Sequence, residues 1–198
     1  LRQEFELQLS RKYLFHMENA QTLVQLHDLS FKPYLSASAI GEKVNTLGEE
    51  LSKEYVGKKP LLVAIMNGSF MFAADLMRAI SIDCEITFIK SSSYSGTEST
   101  GKVNVTLGPN DTISGRDVII VEDIVDSGHS LQALLPLFQE KNPKSLKIAT
   151  LLFKPEAFKG NYTVDYKCFE IPNDFIVGYG LDYNELGRNL KDIYVLAK

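Results

Sequence analysis

Leu61-Leu62-Val63-Ala64-Ile65-Met66, with Pro60 before it and Asn67-Gly68 after it, is an apolar run with no polar position. A strand buried on both faces reads this way, because successive side chains point to opposite sides and neither side meets water. Such strands belong to parallel sheets covered by helices on both faces, and the flanking pattern agrees. From Ser36 to Tyr55 the residues Ala39, Ile40, Val44, Leu47, Leu51 and Tyr55 recur at three- and four-residue steps, which predicts a helix capped by Ser36 or Ser38. Helical spacing returns over Ser69 to Ile80 and over Leu131 to Glu140, the latter interrupted at Pro136. Glu85 to Ile89, Val103 to Leu107, Val118 to Val121 and Lys147 to Phe153 read as further strands. The alternation predicts an α/β fold, an open and mostly parallel sheet flanked by helices, with ligands bound beyond the carboxyl ends of the strands. Beyond Pro155 the helical pattern disappears, and Val164 to Phe169, Phe175 to Val177 and Ile193 to Leu196 are expected to form a small hood or flap.

At 198 residues and 44% hydrophobic content the chain supports one well-buried core. Residues 1–30 read as an N-terminal extension, whose first stretch, Leu1 to His16, is open to three readings (native sequence, an over-called start, or a remnant foreign to the protein), and 31–198 as a single domain whose hood comes mainly from 155–198. The N-terminus has neither the charged-then-apolar layout nor the cleavage site of a secretory signal. No apolar stretch approaches the roughly 20 residues of a membrane helix, so no membrane association is expected. With a formal net charge of −4 and no dense Lys/Arg cluster, the chain lacks the electrostatic footprint of a nucleic-acid binder. Cys84 and Cys168 lie far apart with no C-x-x-C pattern, which favours two inert thiols in a reduced, cytoplasmic protein.

The chemistry concentrates in Val118-Ile119-Ile120-Val121-Glu122-Asp123-Ile124-Val125-Asp126-Ser127-Gly128-His129-Ser130 and the apolar helix that follows. The turn places successive backbone N–H groups and the hydroxyls of Ser127 and Ser130 at a helix N-terminus, where free donors and the positive dipole end favour an anion. The dipole contributes only about 0.3–1 kcal/mol at an exposed site, so specific hydrogen bonds must supply most of the affinity. Glu122 and Asp123 at the strand end suit a pair of sugar hydroxyls, since ionised carboxylates accept the hydrogen bonds that hydroxyls donate. Capping accounts for one acid; it does not call for three around a buried strand end.

The run Val121 to Leu131 resembles the phosphoribosyl pyrophosphate signature of type I phosphoribosyltransferases: hydrophobics, an acidic pair, two more hydrophobics, Asp, Ser or Thr, Gly and a final hydroxyl residue. Similarity to the hypoxanthine-guanine phosphoribosyltransferases continues through Leu61 to Ile80, Lys90 to Thr106, Ser145 to Lys154 and Phe169 to Leu196. The resemblance implies purine salvage: transfer of 5-phosphoribosyl from phosphoribosyl pyrophosphate to N9 of hypoxanthine or guanine, dependent on Mg2+, by a homodimer or homotetramer.

The resemblance also implies roles. Asp126 would face purine N7 as general base, and Ser127, Gly128, His129 and Ser130 would complete the 5′-phosphate loop. Members often carry Lys, Gly, Asn or Arg where His129 stands, which matters little if its backbone N–H binds; a solvent-facing side chain is the simpler reading, a pH-dependent phosphate contact the other. Met66-Asn67-Gly68-Ser69 matches the pyrophosphate loop, with Asn67 and Gly68 as contacts and a cis peptide expected at Ile65–Met66; the basic residue some members have opposite Met66 or Asn67 is lacking. Ser93 and Tyr94, within the polar stretch Lys90 to Lys102, would close over the reacting centre. Lys154 would donate to the oxygen at purine C6, Phe175 would stack on the base, and main-chain groups at Ile176 would read its edge. Asp182 would hold magnesium, with Glu122 and Asp123 as further metal-side carboxylates, and Arg188 would contact pyrophosphate. Gly187 departs from the bulkier residues of some relatives. Two other readings stay open at this level: a preference for xanthine, and a regulatory binding module without a DNA-binding motif to support it.

Overall fold

The computed structural model describes residues 23–90 and 113–197. Leu1 to His16, the expected strand Val103 to Leu107, and Ser93 and Tyr94 lie outside the described residues.

Five parallel strands form the main sheet: β3 (Leu61–Met66), β4 (Glu85–Lys90), β5 (Asp117–Val125), β6 (Ser145–Phe153) and β7 (Tyr166–Glu170), in the order β4-β3-β5-β6-β7. Both faces are apolar, as the opening run requires. Leu61, Val63 and Ile65 join Val118 and Ile120 on one side, while Leu62 and Ala64 join Ile119 and Val121 on the other. Helices α1 (Ala37–Glu54) and α2 (Phe70–Ala79) cover the second side through Ile40, Val44, Leu47, Leu51, Phe72 and Leu76. Helix α3 (His129–Gln139) covers the first through Leu131, Leu134 and Phe138. Ser36 caps α1, its hydroxyl accepting from Ala39 N–H at 3.2 Å. Among the described residues no helix is long and apolar enough to cross a membrane.

The chain steps outward from β3 to β4 and then returns to the other side of β3 as β5. At this switch the turns after β3 and β5 leave the same edge side by side and open the crevice in which ligands of such sheets bind.

A second, antiparallel sheet forms the hood, in the order β1-β2-β9-β8, from β1 (Val24–Leu26), β2 (Leu29–Leu35), β8 (Ile176–Val177) and β9 (Ile193–Leu196). Three expectations are corrected here. The boundary drawn at 30/31 falls inside β2, and residues 24–35 supply half of the hood strands, because β2 pairs with β9 from Phe31↔Leu196 onward. The segment expected as hood at Val164 to Phe169 is instead β7, the parallel edge strand beside β6. Helix α3 begins at His129 and continues through Pro136, whose missing N–H costs one bond near the end of a helix already anchored by Leu131 and Leu134.

Candidate active site

β5 ends in a sharp change of direction. Val125 closes the strand, Gly128 sits at φ +80 as the N-cap of α3, and no side chain caps the helix. A Cβ at Gly128 would come within 2.7 Å of Phe158 and 2.8 Å of the Tyr162 hydroxyl, so both conformation and space demand glycine. A cavity of about 260 Å³ lies at this turn, lined by Glu122 through Gly128, Ser130 and Leu131. His129 is exposed and does not line it, in keeping with the solvent-facing reading of its side chain.

Consecutive residues on a strand face opposite ways, and the acidic pair obeys that rule. Glu122 follows Val118 and Ile120 toward the α3 side; its Oε2 is buried without a hydrogen-bond partner. Burial first, and the neighbouring Asp123 second, push its carboxyl well above the usual range. Asp123 turns toward the strand β3 exit, where a Cβ on Gly68 would meet its Oδ2 at 1.7 Å. Desolvation raises it to about 6, against the pull of the Ile124 and Asp123 N–H groups and of Arg188; Asp182 pushes it up.

The cis peptide lies at Met66–Asn67, not at Ile65–Met66 as expected; the strand ladder runs on through Met66, paired with Lys90, so the backbone departs only after it. Gly68 is enclosed from the other side by Gly180 (φ +104), where a Cβ would stand 2.1 Å from Gly68 O. Asp123, Gly68 and Gly180 thus stack in contact and join the turn after β3, the end of β5 and the hood.

Beyond β5, Asp126 receives the Lys154 ammonium at 2.9 Å. The lysine side chain is 8% exposed and the carboxylate 47%, so a buried cation presents a half-open anion. In the hood, Phe175 is exposed, with its ring 5.9 Å from Phe31 and 5.7 Å, edge-on, from Tyr183. Ile176 is buried in β8, paired with Val195. Asp182 and Arg188 are joined at 2.8 Å, and Arg188 also donates to Gly180 O at 2.9 Å.

Magnesium takes oxygen ligands and is commonly held by one or two carboxylates, with water and substrate phosphates completing the shell. Among the described residues no group of three His, Cys, Asp or Glu converges on one point, so the expected trio Glu122, Asp123 and Asp182 does not form an ion cage. The strand alternation explains this, since it sends Glu122 to the far face. Asp123 and Asp182, close enough to raise one pKa through the other, fit the sparser mode.

Sequence reasoning missed four participants. Phe31 and Tyr183 flank Phe175, Gly180 rests on Gly68, and Tyr179 ties the hood to α2 through its hydroxyl on Asp75 Oδ2 at 2.6 Å. Gly180 alone carried a signal, the paired glycines of Gly178-Tyr179-Gly180.

A model of the phosphoribosyl transferase domain matches residues 30–184. The hypoxanthine-guanine phosphoribosyltransferase of Streptococcus pneumoniae is 46% identical over 168 residues, covering 84% of this chain and 93% of the relative. That of Streptococcus pyogenes is 45% identical over 164 residues, covering 82% and 91%. Crystal structures agree: a hypoxanthine-guanine phosphoribosyltransferase from Bacillus anthracis with HEPES in its active site superposes at a TM-score of 0.77 and 43% identity, covering 84% of this chain and 98% of the other. A hypoxanthine phosphoribosyltransferase from Staphylococcus aureus gives a TM-score of 0.78 at 41% identity, covering 84% and 91%. With this agreement in sequence and fold, the chain belongs to the phosphoribosyl transferase domain family.

Proposed function

We propose that the protein transfers 5-phosphoribosyl from phosphoribosyl pyrophosphate to N9 of a 6-oxopurine, hypoxanthine or guanine, giving IMP or GMP and pyrophosphate. The observation that carries the reading is the Asp126–Lys154 pair, whose carboxylate residue lines the β5 cavity. A carboxylate acceptor 2.9 Å from an ammonium donor complements the edge of a purine with a proton on N7 and an oxygen at C6. Adenine places an amino donor where Lys154 also donates, and a buried donor left unpaired discriminates strongly.

In this reading the 5′-phosphate sits in the loop Asp126 to Ser130, on the N–H groups at the start of α3 and the hydroxyls of Ser127 and Ser130. Asp123 receives a ribose hydroxyl, and Glu122 lies under the same sugar. Phe175, held edge-on by Tyr183, offers its free face to the base. Asn67 and Gly68 direct their backbone at pyrophosphate, and Arg188 exchanges Asp182 for a phosphate oxygen. N9 attacks C1′, the bond to pyrophosphate breaks with its electron pair on the leaving oxygen, and the N7 proton passes to Asp126, assistance that typically contributes roughly 10²–10⁴ in rate. Asp182, with Asp123 nearby, would hold magnesium, which would supply charge neutralisation for the leaving group. Cys84 and Cys168 are free, both raised by burial and Cys168 to about 12, which suits inert thiols in a cytoplasmic enzyme.

The test is nucleotide formation from phosphoribosyl pyrophosphate and magnesium, with hypoxanthine, guanine, xanthine and adenine offered in parallel to wild type and Asp126→Ala. Turnover of hypoxanthine and guanine, rejection of adenine and a weakened mutant are expected. Preference for xanthine would require a different base pocket, and no turnover by folded protein would end the enzymatic reading.

A further inference from the structure

The outer side of the phosphate loop is gripped by a single stretch of chain, the turn that follows β6. Lys154 N–H donates to Val125 O at 2.9 Å, Lys159 N–H to Ser127 O at 3.1 Å, and the Tyr162 hydroxyl to Gly128 O at 2.9 Å. The first two bonds are main-chain and nearly independent of residue type. The third comes from a side chain and exists only because position 162 is tyrosine.

The consequence follows from peptide geometry. A trans peptide unit holds its C=O and its N–H in opposite directions. Fastening the Ser127 and Gly128 carbonyls to the turn therefore sends the N–H groups of Gly128 and His129 the other way, toward the side on which the loop lines the cavity and Lys159 and Tyr162 do not. Gly128 O also accepts from Gln132 N–H at 3.0 Å, so both of its lone pairs are engaged and turning the peptide would break both bonds. Among the described residues, no backbone or side-chain hydrogen bond uses the N–H of Gly128 or His129.

Tyr162 is itself held in place. Its ring meets Phe158 edge-on at 5.2 Å and 87°, and Phe158 meets Phe153 at 5.2 Å and 63°, which runs an aromatic ladder from the end of β6 to the loop. Phe158 and the Tyr162 hydroxyl fill the space a Cβ at 128 would need. Burial raises the phenol to about 12, so it stays a donor throughout the neutral range.

We propose that Tyr162 is a positioning residue for the phosphate loop, aiming the Gly128 and His129 N–H groups at the 5′-phosphate through its hydrogen bond to Gly128 O and touching no substrate. The inference rests on the assignment of that loop to the 5′-phosphate, and it differs from the roles given to Ser127 and Ser130 because Tyr162 acts from behind.

Tyr162→Phe removes only the hydroxyl and keeps the aromatic ladder; a thermal melt confirms folding. The expected result is a rise of about 3- to 10-fold in KM for phosphoribosyl pyrophosphate and in the inhibition constant of the nucleoside 5′-monophosphate product, the size set by one lost neutral hydrogen bond. KM for hypoxanthine and inhibition by the phosphate-free nucleoside should stay as in wild type. A merely structural role would lower the melting temperature with both KM values unchanged or moving together, and either pattern overturns the proposal. Calorimetric titration with inorganic phosphate asks the same of the loop without turnover. Weaker binding by the variant supports the aiming role even if wild type forms no nucleotide, in which case only the proposed reaction fails; equal binding, or none by either protein, overturns the aiming role.

Discussion

Lys154→Met separates what the buried ammonium does for chemistry from what it does for folding. The lysine side chain is 8% exposed while its partner carboxylate on Asp126 is 47% exposed, with 2.9 Å between them. Because one end of the pair is half in water, its contribution to stability is at most about 1 kcal/mol. Against that stands the desolvation of the ammonium, which an unbranched thioether of similar length avoids. The two effects offset, and Asp126 can be solvated where it stands, so denaturant or thermal unfolding should place the variant within about 1 kcal/mol of wild type. Catalysis should respond differently. A hydrogen bond from a charged donor to the C6 oxygen contributes about 1.5–3 kcal/mol, so kcat/KM for hypoxanthine should fall about 10- to 150-fold. Removing the donor also removes the conflict with an amino group, so the ratio of hypoxanthine to adenine turnover should shrink. The assay follows absorbance on nucleotide formation with each base at saturating phosphoribosyl pyrophosphate and magnesium. A variant that keeps kcat/KM within threefold, or loses activity while keeping the base ratio, would show that Lys154 does not read C6.

Three further perturbations reach other parts of the site. Asp123 ionises near 3.8 in the unfolded chain and at about 6 in the folded one, so between those values the native state binds more protons; the stability this confers is fully present below the lower value and is lost as pH rises through the upper. Thermal melts without magnesium or ligands should fall from about pH 4 to pH 6.5 and fall less steeply in Asp123→Asn, which leaves only the share of the raised Glu122; an unchanged slope in the variant would assign the dependence elsewhere. Gly180→Ala places a methyl group 2.1 Å from Gly68 O at a φ of +104, so a loss of about 1–3 kcal/mol in unfolding free energy and a higher KM for phosphoribosyl pyrophosphate are expected, whereas a neutral variant would mean that the stack on Gly68 can open freely. Phe175→Ala removes an exposed ring and should raise KM for the purine by about 5- to 150-fold with KM for phosphoribosyl pyrophosphate unchanged, on a stacking contribution of about 1–3 kcal/mol; equal shifts in both constants would count against base stacking.

The main sheet could be read from the sequence because its strands are buried on both faces: Leu61 to Met66 and Val118 to Val121 admit no polar residue, and few other structures impose that. The helix over 37–54 was equally plain, since Ile40, Val44, Leu47 and Leu51 share one buried stripe. The hood was not. In β2, Leu29-Ser30-Phe31-Lys32-Pro33-Tyr34-Leu35 alternates weakly, carries a proline and buries only Phe31 fully, because a small sheet covers one face with few contacts. Its partner β9 lies at the far end of the chain, and no local pattern reports a pairing of that separation. The same limit placed β7 in the wrong sheet: alternation at Tyr166 and Cys168 shows that one face is buried, but not against which neighbour. In the candidate site, the acids and the glycine turn are dense along the sequence and were visible, whereas Tyr162 reaches Gly128 across 34 residues from a segment with no periodicity.

One difficulty of the proposed reaction is electrostatic, and the geometry addresses it. A chain of formal charge −4 must admit a substrate bearing a phosphate and a pyrophosphate into a cavity bordered by Glu122, Asp123 and Asp126. Were all three carboxylates ionised and unpaired, each would repel the ligand in a region where water screens poorly. Instead burial holds Glu122 well above the usual carboxylate range and raises Asp123 to about 6, while Lys154 pairs with Asp126 and Arg188 with Asp182. With Glu122 held protonated by burial and Asp126 and Asp182 paired, Asp123, mostly ionised at neutral pH, carries the remaining negative charge, and attraction falls to the N–H groups at the start of α3. The lack of a dense Lys/Arg cluster in the sequence is thus compatible with a polyanionic small molecule, which directed donors can hold.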